Sequence, residues 1–169
     1  MSLSLHSVTI PVFAHALVNL AALLEKARLH VEAKKLDGSV FVSYRLFPDM
    51  LPFASQVRIA CDIVKGAGAR LAGIEVPKFA DDETTLEQLI ERVKKTHAFI
   101  DGLSPAQIEG AEGKEIALNN PRGTMKFTGL DYVNKFVLPN LYFHSATAYN
   151  ILRHNGVEIG KQDFLGKIQ

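Results

Sequence analysis

The chain has 169 residues, 47% of them hydrophobic and 22% charged, with 19 basic against 18 acidic side chains and a formal net charge of +1. That size and balance belong to one globular domain with a substantial core, and they exclude a disordered chain. The two signs of charge interleave without a basic stripe, and the chain has no tryptophan and no lysine-rich amphipathic face. Neither nucleic acid nor a membrane surface is therefore expected as a partner.

The first predicted element is a helix over residues 9–35. Phe13, Leu17, Leu20, Leu24, Ala27 and Val31 recur at three- and four-residue steps and give it one apolar stripe. Thr9 is placed to cap it, Pro11 falls in its first turn, where proline is tolerated, and Asp37-Gly38 ends it. The apolar stretch is interrupted by His15 and Asn19, and no basic segment precedes it. The reading is a core helix in a cytoplasmic protein, with neither a signal peptide nor a run of about 20 apolar residues to span a bilayer. His15 and Asn19 themselves carry no specific spacing signal.

A second helix is expected to start near Asp49, bracketed by Pro48 and Pro52, and to close at Gly66, Gly68 and Gly73. Leu46, Met50, Phe53, Val57, Ala60, Cys61 and Val64 form its inner face, and only Ser55, Arg58 and Asp62 read as wet. A helix apolar on nearly all sides is buried on nearly all sides, at the centre of a bundle or in a subunit interface. Cys61 is the sole cysteine, so no internal disulfide is possible; its apolar neighbours predict an inert, buried thiol and a reducing compartment.

After a loop through Pro77, a capping-box pattern at Thr85 and Gln88, or equally at Thr84 and Glu87, opens a third helix, with Leu86, Leu89, Ile90, Val93, His97 and Ile100 as its stripe and Gly102 as its stop. Two short runs, 115–118 and 124–127, flank the turn-rich segment Asn119-Asn120-Pro121-Arg122-Gly123 and predict a β-hairpin. A fourth helix follows from about Thr128 to Asn155-Gly156, with a kink expected at Pro139. Phe164-Leu165 is expected to fold back onto the bundle.

The chemistry-bearing residues are few. At about 100° per residue, His144 shares its helical face with Val137, Ala148, Ile151 and Asn155 and so points inward. An inward histidine is a metal ligand, a general base, or a core residue with satisfied ring nitrogens. His97 lies on the third helix's stripe or at its edge. Asp49 and Gln56, two turns apart, border the apolar face of the second helix; the plainer reading has Asp49 capping that helix and Gln56 bonded to backbone. The candidate pocket is therefore Gln56, His97, His144 and Asp49. Tyr149 and Arg153, four apart, read as a surface or interface pair. There is no His-x-x-x-His, no paired Glu-x-x-His, no Gly-x-Ser-x-Gly and no phosphate loop, and no residue set reads as catalytic.

The strings Phe47-Pro48-Asp49-Met50-Leu51-Pro52 with Gln56-Val57, Leu138-Pro139-Asn140 through His144, Ala148 through Gly156, and Gly160 through Gly166 together resemble a bacterial and fungal domain-of-unknown-function branch of the DinB-like superfamily, over essentially the whole chain. The resemblance implies an all-α four-helix bundle, often dimeric, with a crossover between its second and third helices and, here, a short hairpin before the last. In better-known members three histidines hold a divalent metal, one from helix two and two from helix four as His-x-x-x-His, and several use it to activate a low-molecular-weight thiol in transferase or isomerase reactions. Carried onto this chain, Gln56 stands near the helix-two ligand position, His144 at the first helix-four position, and Ala148 where the second histidine would be. Three readings follow: a bundle with a degenerate metal site and a small ligand in its core; a zinc- or nickel-dependent thiol transferase or isomerase with His144 as a ligand; and a homodimeric interaction module, motivated by the apolar second helix.

Overall fold

A computed structural model describes residues 4–121 and 123–167. Four long helices build the bundle, and shorter pieces join them: α1 Ile10–Lys34, α2 Gly38–Phe41, α3 Phe53–Ala72, α4 Leu86–Asp101, α5 Pro105–Ile108, β1 Glu115–Asn120, β2 Gly123–Thr128, α6 Gly129–Asp131, α7 Leu138–His154 and α8 Lys161–Leu165. The strands pair antiparallel, with Ile116 opposite Phe127 and Asn120 opposite Gly123. This is the expected hairpin, directly before the last long helix.

Each long helix forms where its apolar period dictates. On α1, Phe13, Leu17, Leu20, Leu24 and Ala27 are buried. Over its most apolar window the mean hydropathy of this 25-residue helix is 1.3, long and apolar enough to cross a membrane by those measures alone. That departs from the sequence expectation of no such run, yet the same apolar side chains face the other helices and supply the core. Thr9 does not cap α1 with its side chain; its Oγ1 donates back to the Leu5 carbonyl instead. The helix stops one residue early, at Lys35 in the left-handed conformation.

α3 starts at Phe53, not near Asp49. Pro52 takes the cap position, and exposed Asp49 lies in the preceding turn without capping the helix. Two prolines within five residues keep that stretch out of the helical region, because the residue before a proline is pushed toward extended backbone. On α4, Thr85 accepts from the Gln88 backbone and the reciprocal bond is also made, completing the capping box.

The ring order of the bundle is α1, α4, α3, α7. α3 and α4 run parallel, since Asp62 meets Arg92 near their middles and Gly68 meets Ile100 toward their ends. A parallel pair needs a connection spanning the length of a helix, about 30 Å for α3. Residues 73–85 supply this crossover and are held on the stripe of α3 that reads as wet. Arg58 Nε donates to Glu83 at 2.7 Å, and Arg92 pairs with Asp62, Asp81 and Glu83 at 2.8–2.9 Å. Lys65 pairs with Asp62 at 2.7 Å, while Lys65 and Lys95 both lie over the Phe79 ring. The crossover therefore covers Arg58 and reaches Asp62, whose side chain stays 40% exposed, so the stripe is partly roofed.

The chain before Pro139 widens into a π-helical stretch, Tyr132–Val137. Proline has no N–H for the preceding carbonyls, and the wider turn lets α7 begin with Pro139 in its first turn, where that group is dispensable. Asn140 Nδ2 donates to the Phe136 carbonyl at 2.6 Å, satisfying a group the irregular ladder leaves over. The expected kink is thus met by a change of helical pitch.

Gly129, at the start of α6, lies so near the Ala111 backbone that an added Cβ would sit 1.9 Å from the Ala111 carbonyl oxygen. Gly129→Ala is expected to destabilise the fold by about 3 kcal/mol, the upper end of overpacking costs. Gly113→Ala, with open space around it, should stay within about 0.5 kcal/mol of wild type. Denaturant unfolding of the two variants checks this pair.

Candidate functional site

α3 and α7 pack antiparallel, which sets the first turns of α3 beside the seventh residue of α7. There Gln56 and His144 meet. Gln56 is 1% exposed, and its Nε2 donates to the Leu51 carbonyl at 3.0 Å. That bond fixes which end of the amide is oxygen. The Oε1 end therefore faces His144 Nδ1, 2.7 Å away. Since Oε1 can only accept, Nδ1 carries the proton and donates. In the neutral ring Nε2 is then left with its lone pair, and among the described residues it makes no hydrogen bond.

Burial holds the His144 pKa below its ordinary 6.5, because desolvation disfavours the imidazolium. At neutral pH the side chain is an uncharged imidazole of defined tautomer, with Phe143 edge-on beside it at a ring-centroid distance of 5.2 Å. Such a group accepts a hydrogen bond or takes a proton at Nε2.

Two of the four candidate pocket residues come together and two do not. Half-buried His97 is on α4, which lies diagonally across the ring from α7. Asp49 is exposed in the turn before α3. Gln56 bonds to backbone as its plainer reading had it, and to His144 as well. Ala148 is one turn on from His144 and 1% exposed; its methyl packs in the core and offers no donor atom. A divalent metal asks for three or more protein ligands. Among the described residues no group of three or more His, Cys, Asp or Glu side chains could hold one. The residues at the three positions thus do not fit the metal that the resemblance implies.

Cys61 is fully buried on α3, and desolvation pushes its thiol up to about 12, far from the thiolate that reactivity requires. Tyr149 does not pair with Arg153 but packs against Phe164 of α8, T-shaped with centroids 5.9 Å apart.

Sequence reasoning missed a groove of about 350 Å³ between α1 and α7, bounded by α8. His15 Nε2 and Asn19 Nδ2 both reach the Leu165 carbonyl, at 2.8 and 2.9 Å. Their four-residue spacing puts two polar groups on one side of an apolar helix, which by itself is not specific to any site.

A four-helix bundle whose parallel α3 and α4 are joined by a crossover is DinB-like in architecture. Residues 5–165 match the domain of unknown function DUF1993, and the chain belongs to that family. A solved crystal structure of a DinB family member from Shewanella denitrificans is 41% identical, with a TM-score of 0.88 over 97% of this chain and 93% of that one. No curated protein is significantly similar.

Two measurements check the pair. A long-range nitrogen NMR spectrum at neutral pH should show His144 protonated at Nδ1 and bare at Nε2. His144→Ala, which strands buried Gln56 Oε1, is expected to cost at least about 1–3 kcal/mol. The pH dependence has a definite sign. With the folded pKa below the unfolded value of 6.5, the unfolded state binds more protons in between, so this stability is present above 6.5 and is lost as pH falls from there through the folded pKa. His144→Asn keeps an amide donor but cannot titrate, and should lose less thermal stability than wild type over that window.

Proposed function

We propose that this DinB-like bundle works without a divalent metal, as a cytoplasmic binding module in which the neutral imidazole of His144 accepts a hydrogen bond from a small ligand. The observation that supports it most is the chain of bonds from Leu51 through Gln56 to His144. It orients one imidazole with an unengaged Nε2, while Ala148 occupies a ligand position with a methyl group. A metal at Nδ1 would have to break the bond to Gln56 and leave a buried amide oxygen unpaired, and a metal at Nε2 would have one imidazole where a stable site needs three. Thiol transfer or isomerisation through zinc or nickel is disfavoured for the same reason. Protein expressed in zinc- or nickel-supplemented medium should carry far less than one equivalent of metal by elemental analysis; a stoichiometric metal lost in His144→Ala would overturn the proposal and restore the metal-dependent reading.

A homodimer is favoured by a separate observation. Leu46, Phe47 and Leu51 before α3, and Phe143 beside His144, are exposed at 38–63%, and exposed apolar groups of this size gain by association. Sedimentation at micromolar concentration should give twice the chain mass, and Phe47→Ser with Phe143→Ser should return the monomer. A wild-type monomer would remove this reading.

A further inference from the structure

The groove between α1 and α7 is separate from the Gln56–His144 pair. Tyr142 and Ser145, which line it, are about 60° apart around α7, whereas Tyr142 and His144 are about 160° apart and face opposite ways. The long helices leave this gap because α1 packs most closely on α4, and α7 on α3. The C-terminal segment covers it. Phe164 and Leu165 of α8 form part of its wall, anchored by Lys26 to Asp163 at 2.6 Å, by Phe164 on Tyr149, and by His15 and Asn19 on the Leu165 carbonyl. Gly166, with φ of 69°, follows at once; a Cβ there would lie 2.0 Å from Asn19 Oδ1. The clamp is built to a close tolerance.

Three features specify an occupant. Among the described residues no aspartate, glutamate, lysine or arginine lines the groove, and its histidine, His15, is engaged with the Leu165 carbonyl, so a charged ligand would give up its hydration for no free counter-ion. Ser145 is 5% exposed, and among the described residues its Oγ has no hydrogen-bond partner, although buried hydroxyls are nearly always paired. The volume of about 350 Å³ is that of a small-molecule site and, at about 30 Å³ per non-hydrogen atom, takes on the order of a dozen atoms. A helix about 10 Å across fills roughly 80 Å³ per Å of its length, so less than one turn of a partner's helix would enter. We infer that this groove binds a neutral, mostly hydrocarbon small molecule with one hydroxyl or carbonyl oxygen, which meets the Ser145 hydroxyl.

The probes are 1-octanol, octanoate and octylamine, titrated into the full chain at neutral pH and followed by NMR. We expect saturable, one-to-one shifts in α1, α7 and α8 with 1-octanol, and binding of the two ions weaker by about tenfold or more. Ser145→Ala should weaken 1-octanol about five- to tenfold without lowering the melting temperature, since the hydroxyl it removes has no partner. Ala16→Leu, which fills the groove, should abolish the shifts; should that variant fail to fold, the ligand series and Ser145→Ala still decide. No saturable binding, equal binding of the ions, unchanged affinity in Ser145→Ala, or a dimer whose α1 and α8 resonances are already protected by a second copy would each overturn the inference.

Discussion

The constraint on which the structure turns is the apolarity of α3. Phe53, Val57, Ala60, Cys61, Val64, Ala67 and Leu71 line one stripe and are essentially inaccessible, and every residue from Val64 to Ala69 is buried as well, more than a full turn, which does not fit on one face of a helix. α3 can be satisfied only by being enclosed, with α4 on one flank, α7 on the other and the crossover over the side that remains. Once α4 must lie parallel to α3, the chain has to travel back along the bundle between them, and the crossover that does so becomes the roof. The burial of Gln56, the fourth residue of this largely enclosed helix, follows from the same constraint.

The roof is fastened by charge. Arg92, 4% exposed as a residue, meets carboxylates from α3 and from the crossover. Glu83 is held below the usual carboxylate range by its bonds to Arg92 and Arg58, against a desolvation that pushes the other way. A buried cluster of this kind roughly breaks even against apolar packing, so its contribution lies in position more than in stability. Apolar contacts are indifferent to small slides; a guanidinium shared among three carboxylates is not. The cluster fixes where the crossover lies on α3.

How much of this could be read from the chain depended on whether the cause was local. Helical period, the Thr85–Gln88 capping box, the hairpin around Asn119-Asn120 and the inward turn of His144 are written within a few residues and were legible. That Gln56 stands near His144 was implied by the family resemblance and not by the phase of either helix, which leaves open what lies opposite. What was not legible arises between distant segments. Asp49 reads as a helix cap, but the two flanking prolines override it. Arg58 and Asp62 read as solvated because the crossover that meets them is up to 25 residues away. The groove needs α1, α7 and α8 at once, and His15 and Asn19 have no visible purpose until a carbonyl about 150 residues on is brought to them.

α7 is the element where these threads meet, since its two faces do different work. One face carries His144 into a polar contact with α3. There the amide of Gln56 orients the imidazole, and Ala148, one turn on, offers only a methyl. The opposite face carries Tyr142, Ser145 and Tyr149 toward α1 and the tail, where the bundle is least tightly closed. α7 is thus tied to α3 by a side-chain hydrogen bond on one side and faces a gap on the other. The hydrogen bond to Gln56 holds α7 in register on α3, and the tail, clamped by His15 and Asn19, closes the side that α3 does not reach.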